Sequence, residues 1–319
     1  MQQLRNIIIS RTDSIGDVIL TLPMAKVLKD HYPEIKIAFL GKNYTKPVVS
    51  CCTYIDTFIE VTDFMKSEVA ICGEKPQAIL HVFPVKEIAK RAKSLNIPLR
   101  IGTASRLYHW FTCNKLIRLS RKNSELHEAQ LNLKLLGAIG IHPHFSTAEI
   151  QSLFGFTKIP PLSEEYKKFL HPQKYNLILH PKSQGSAREW GLKNFIALIK
   201  LLDKNRFHIL ISGTANERKL LNELFAACGK EVTDITGAMD LTAFISFIHH
   251  CGGLVANSTG PLHIAAVLGK NAFGIYPSQR PTHPGRWAPI GKHVSIFEDV
   301  ATVAPTEVAA KIEAAFPHS

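Results

Sequence analysis

The chain has 319 residues, 45% hydrophobic and 20% charged, enough for two cores of about 150 residues each. Its first apolar run, Ile7 to Ile9, is interrupted by Arg11 and Asp13; this argues against a signal peptide or membrane span and leads us to expect a cytoplasmic protein. Six cysteines without CxxC spacing argue against a zinc site or a disulfide framework, so the net charge of +12 is the compositional feature to explain.

In chain order, short β-branched runs alternate with segments of helical period, the signature of parallel sheets with helical crossovers. Strands are expected at Asn6 to Arg11, Lys36 to Leu40, Thr57 to Val61, Ala78 to Phe83 and Leu99 to Ile101, with a helix near Glu125 to Leu136. A second series follows at Tyr175 to His180, Phe207 to Ser212, Gly253 to Ala256 and Ala272 to Tyr276. Ile159-Pro160-Pro161 and His171-Pro172 lie between the two series, where prolines block regular structure. The expected division is a first Rossmann-like domain over 1–160, a linker over 161–174 and a second over 175–319. The last helix is a candidate to pack back on the first domain.

Open parallel sheets bind ligands beyond the carboxyl ends of their strands, which singles out three loops. The first, Ser10 to Asp17, passes through Gly16 into an amphipathic helix. Asp17 is then either a carboxylate that favours the helix dipole or a general base for an attacking hydroxyl, and Asp13 shares the loop. The second, His180 to Trp190, offers Lys182, Ser183, Ser186 and Arg188 as donors, a composition suited to phosphates but also compatible with a plain connection. The third leads from Asn257 through Ser258, Thr259 and Gly260 into a helix with an early proline, Pro261. Its N–H groups suit an anion, while capping alone explains the hydroxyls. His263 either faces a ligand or packs within the helix.

The charge is concentrated. Lys86, Lys90, Arg91, Lys93, Arg100, Arg106, Lys115, Arg118, Arg121 and Lys122 face one acid, Glu87, in a stretch that also carries Tyr108, His109, Trp110 and Phe111. Such a run is either a solvated face or a surface for an acidic lipid, glycan or nucleic acid.

Four segments in order resemble glycosyltransferase family 9, the heptosyltransferases of the lipopolysaccharide inner core. RTDSIGDVILTLP (Arg11 to Pro23) resembles the family's N-terminal motif and HPKSQGSAREWGLKNF (His180 to Phe195) its donor-phosphate loop. ANSTGPLHIAAVLGK (Ala256 to Lys270) is similar to its TG-x-x-H segment, and Pro277 with Arg286-Trp287-Ala288-Pro289 to the stretch that follows. The resemblance implies a GT-B fold, with two Rossmann-like domains of mostly parallel sheets facing a central cleft. It also implies an inverting transfer of heptose from an ADP-activated donor, with no metal or other cofactor. On this basis Asp17 is the expected catalytic base. Lys182, Ser183, Ser186, Arg188, Glu217, Ser258, Thr259, Gly260 and His263 are the expected donor-binding set. Arg11, Asp13, Arg118, Arg121 and Lys122 are expected on the side of the acceptor, an acidic glycolipid met at an anionic membrane surface. Nucleic acid is not an expected partner, because it explains the charge and none of the loops.

One departure bears on the donor: many members have Asp-Thr-Gly where this chain has Ser258-Thr259-Gly260. The alternatives are therefore a GT-B transferase using a UDP- or GDP-sugar for another surface glycan, and a catalytically silent nucleotide- or glycan-binding protein.

Overall fold

The computed structural model describes residues 4–121, 124–185, 187–280 and 282–317. Ile7, Ile8 and Ile9 form the middle of β1 (Asn6–Ser10), every residue of which is buried. A strand covered on both faces reads as a continuous apolar run, and burying each such side chain stabilises the fold by about 1.5–3 kcal/mol. The first sheet adds β2 (Lys36–Gly41), β3 (Thr57–Glu60), β4 (Ala78–His81), β5 (Leu99–Thr103) and β6 (Lys115–Ile117). All pairings are parallel and the order is β3-β2-β1-β4-β5-β6.

The second sheet holds β7 (Tyr175–His180), β8 (Phe207–Ile211), β9 (Val232–Asp234), β10 (Gly253–Asn257), β11 (Asn271–Tyr276) and β12 (Val294–Glu298). It is also wholly parallel, ordered β9-β8-β7-β10-β11-β12 from one edge. Each sheet therefore has the doubly wound order in which the strand sequence reverses beside its first strand. The reversals lie between β1 and β4 and between β7 and β10, and the crevices they create open at the carboxyl ends of those strands.

Three strands, β6, β9 and β12, sit at sheet edges and were not expected from the apolar runs. Two have only three residues, and the side chains of β9 are all half-buried; edge strands are covered less and need no apolar run. The compact units divide at Lys158 and Ile159, so the segment 161–174, expected to be a linker, belongs to the second unit and contains the helix Glu164–Lys167. The final helix, Pro305–Ala315, is part of the second unit. It packs on Leu192–Leu201 and contributes Val308 and Ile312 to the core around Phe195 and Phe207. Among the described residues no helix is long and apolar enough to cross a membrane.

Candidate functional site

The first unit's switch point is built on a buried guanidinium. Arg11 follows β1 directly, is 1% exposed, and donates through all three of its nitrogens. Nε reaches Asp13 Oδ1 at 2.7 Å and Nη2 bonds Asp17 Oδ1. Nη1 reaches Glu128 Oε1 at 3.0 Å and Asn132 Oδ1 at 3.3 Å. Glu128 and Asn132 come from the helix Glu128–Lys134, more than a hundred residues away in sequence, and both are buried. Arg121 completes the cluster, 3.3 Å from Glu128 Oε1 and donating to Asn132 Oδ1 at 2.9 Å. Among the described residues, two guanidiniums and three carboxylates thus gather in this cluster.

Asp17 lies in the first turn of the short helix Ile15–Ile19, whose N-cap is Ser14. Capping is thus done by the serine. The aspartate side chain accepts instead from Arg11 and, at 2.5 Å, from Ser14 Oγ. Its carboxylate remains 16% exposed, fixed in orientation and open on one side. Burial pushes the neighbouring Asp13 up to about 6; Arg11 pulls against this and Asp17 adds to it. The Tyr44 hydroxyl donates to Asp13's backbone carbonyl and fastens the loop from outside.

These contacts bear on two expectations. Arg11 and Arg121 were expected to touch an anionic acceptor. Arg11 is enclosed and engaged by three carboxylates, and Arg121 is half-buried against Glu128 and Asn132, so both organise the site from within. Arg118 is exposed. Lys122 lies outside the described residues, as does Ser186.

Beside this cluster, β4 ends at His81, which is fully buried with its ring centroid 5.5 Å from that of His109. Neither ring nitrogen of His81 has a hydrogen-bond partner among the described residues, nor do His109 Nε2 and Ser10 Oγ. Burial, with help from His109 and Arg100, pulls His81 down to about 3. A histidine lowered in the folded state leaves stability intact above its unfolded pKa of about 6.5, and stability is lost as pH falls below that value. In urea titrations, the stability of His81→Leu relative to wild type is expected to rise between pH 6.5 and 4, by up to about 1.4 kcal/mol per pH unit. A difference independent of pH would rule out a neutral, buried His81.

In the second unit the loop after β7 and the loop after β10 are tied by one side chain. Asn257, buried at the end of β10, accepts from Trp190 N at 2.9 Å and donates to Pro181 O at 2.9 Å. The Trp190 indole donates to Val303 O at 2.9 Å. Within the loop, Lys182 Nζ pairs with Glu189 Oε2 at 2.5 Å, and Glu189 Oε1 accepts from Ser183 N at 3.0 Å and from Ser183 Oγ at 3.1 Å. Gln184, at a left-handed φ of 51°, donates its N–H to Glu217 Oε1 at 3.1 Å. Glu217 Oε2 accepts from Thr214 N and Oγ1. Glu217, expected to contact a donor ribose, is buried and braces this loop through Gln184 and Thr214. Arg188 is exposed and makes no ion pair among the described residues.

After β10, Ser258 is hydrogen-bonded to the Tyr276 hydroxyl, which donates to Trp287 O at 3.1 Å. That contact ties the third loop to the Arg286-Trp287 stretch. Thr259 is the N-cap of the helix Gly260–Val267, with Pro261 in its first turn. Its Oγ1 is buried with no hydrogen-bond partner among the described residues, next to the N–H groups of a helix start, which favour an anion. His263 is buried in the first turn of that helix. His180, at the end of β7, bonds Ser212 Oγ at 2.9 Å and is drawn down to about 4 by burial, against the pull of Glu217 and Glu189.

Asn257, Glu189, Glu128 and Asn132 thus support these loops, a part the loop motifs did not assign. Only Glu189 and Asn257 lay inside the motifs. Nothing local marks Glu128, because its partners are brought to it by the fold.

The model of "Glycosyltransferase family 9 (heptosyltransferase)" matches residues 95–314. The chain belongs to glycosyltransferase family 9. A Haemophilus influenzae protein described as a candidate glycosyltransferase is 25% identical over 92% of this chain and 89% of its own length. Among solved structures, the family 9 glycosyltransferase of Veillonella parvula DSM 2008 superposes with a TM-score of 0.80 at 16% identity, covering 99% of this chain and 98% of that one. The E. coli ADP-heptose lipopolysaccharide heptosyltransferase II gives 0.75 at 17%, covering 98% of each. This family 9 enzyme is a glycosyltransferase with the GT-B fold, each of whose two sheets carries one of the switch points described above.

Proposed function

We propose that this enzyme transfers heptose from ADP-heptose to an inner-core lipopolysaccharide acceptor, inverting the anomeric centre without a metal or other cofactor. The observation that carries the chemistry is Asp17, a carboxylate held by Arg11 and Ser14 and open on one side. In the reaction, the acceptor hydroxyl oxygen forms a bond to the donor's anomeric carbon as the bond from that carbon to the diphosphate oxygen breaks. Asp17 takes the hydroxyl proton, and ADP leaves with the bonding pair. The second unit binds the donor. Arg188 meets the diphosphate, Thr259 Oγ1 and the N–H groups beside it meet an anionic oxygen, and Glu189 and Glu217 hold the loop in shape. Donors placed where charge develops are worth about 3–4 kcal/mol each in such reactions.

The choice of donor is supported by the name of the E. coli relative, an ADP-heptose heptosyltransferase. At position 258 the loop carries a hydroxyl, bonded to Tyr276, in place of a carboxylate. The acceptor, an acidic glycolipid, places the enzyme in the cytoplasm at the inner face of the membrane. Asp13 and Arg118 stand on the acceptor's side.

Calorimetric titration with ADP, UDP and GDP tests this reading. ADP is expected to bind selectively, and Arg188→Ala to weaken it at least about tenfold, the loss of a charge-assisted hydrogen bond. Lys182→Ala, which removes a cation already paired to Glu189, should weaken it less. Preference for UDP or GDP would move the enzyme to another nucleotide-sugar, and no binding to any of the three would leave a silent binding protein. With ADP-heptose, turnover should survive a chelator and yield product of inverted anomeric configuration.

A further inference from the structure

Large apolar side chains scattered singly over a surface need no explanation, but three of those exposed here are gathered on one turn. Leu107, Trp110 and Phe111 are 76%, 60% and 70% exposed. Their spacing, i, i+3 and i+4, puts them on one face of a helical turn, and the backbone forms that turn: Trp110 N bonds Leu107 O at 3.1 Å, leading into the helix His109–Thr112.

The turn is held rigidly. Lys93 Nζ donates to Phe111 O at 2.9 Å, Arg100 Nε to Thr112 O at 2.8 Å, and the Trp110 indole to Ala104 O at 3.0 Å. Beneath it, His109 is buried and its Nδ1 accepts from Thr103 N at 3.0 Å. A Cβ at Gly102 would lie 2.6 Å from that same nitrogen and 2.8 Å from Cys113 Sγ, so glycine is what lets the turn seat on β5. Several contacts therefore fix an apolar surface in water, where burial would favour turning it inward.

Exposed cations flank it in sequence: Lys86, Lys90, Arg106, Lys115 and Arg118. Apolar and indole side chains beside Lys and Arg match the boundary between headgroups and acyl chains of an anionic bilayer. A second copy of this chain is a poorer occupant, since it would bring the same positive charge to the same place.

We propose that Leu107, Trp110 and Phe111 form a preset wedge that enters an anionic bilayer, with the neighbouring cations held at the headgroups. This deepens the proposed action on a membrane glycolipid and rests on that reading for its purpose, but the contact itself requires no glycolipid.

The test uses the full-length protein and vesicles of phosphatidylglycerol and phosphatidylethanolamine that lack any glycolipid. Wild type is expected to cosediment at low salt, and lipids brominated on their acyl chains should quench a part of its fluorescence that Trp110→Phe lacks. Leu107→Ser with Phe111→Ser should lower partitioning at least about tenfold, with unchanged melting and ADP affinity. Lys86→Gln with Lys90→Gln should lower it by a factor that shrinks as salt rises. Equal partitioning of the serine variant, or quenching that persists in Trp110→Phe, would overturn the wedge. So would a dimer seen by sedimentation that the serine variant loses without any vesicle binding. Failure here with ADP-heptose turnover intact would sink the wedge alone, whereas vesicle insertion without ADP binding would sink the donor reading alone.

Discussion

Asp17→Asn is expected to lower the turnover number by about 10²- to 10⁴-fold, the usual contribution of a positioned general base, with ADP affinity near that of wild type. The amide keeps the volume and can still accept from Arg11, but it cannot take the hydroxyl proton. Steady-state rates with ADP-heptose and an inner-core acceptor, beside calorimetry with ADP, check both halves. Retention of more than about a tenth of the rate would exclude Asp17 as the base and return it to a supporting role at the helix start.

Arg11→Met should destabilise the first unit by about 3–5 kcal/mol, the range for removing one partner of a buried charge cluster. Asp13 and Asp17 would then lose the guanidinium that pairs them, and Glu128, which is fully buried, would lose one of the two it faces. Lysine should restore little, because one ammonium cannot reproduce a fork that serves four side chains in different directions. The direction of the pH effect follows from the same cluster. Asp13 is held near 6 against the pull of Arg11, so without the guanidinium its carboxyl rises further and more of it is protonated at neutral pH. Denaturant unfolding of Arg11→Met and Arg11→Lys, with nuclear magnetic resonance titration of Asp13, measures both effects. A loss below about 1 kcal/mol, as for an exposed ion pair, would mean that the cluster is far better hydrated than its burial implies.

The contrast between Asp17 and Arg11 shows what was legible in the chain. Asp17 could be marked because its signal is local: a strand, a glycine, then a carboxylate at the start of an amphipathic helix. Arg11 sits in the same motif, yet its role could not be read, because an arginine near an expected anion looks the same whether it faces the ligand or the core. Its partners Glu128 and Asn132 arrive from a distant helix, and burial is a property of the assembled unit. The same holds for Glu217, which in sequence is one acid after a strand and in the fold is a brace under Gln184 and Thr214. The basic run from Lys86 divides likewise. Arg91, Lys93 and Arg100 support backbone carbonyls, while Lys86, Lys90 and Arg106 stand exposed.

What the sequence determined by itself was the architecture and the positions of the three loops. Strands buried on both faces must be continuously apolar, crossovers must be helical, and ligands of such sheets gather beyond the strands' carboxyl ends. Those constraints act over a few residues and leave a pattern in them. The tertiary structure alone decided which polar groups in those loops are spent on one another and which remain for a ligand, why the short edge strands pair where they do, and that Leu107, Trp110 and Phe111 face outward. The physical reason is that hydrogen-bond satisfaction and burial depend on partners tens to more than a hundred residues away, and no local pattern records a partner that only folding brings near.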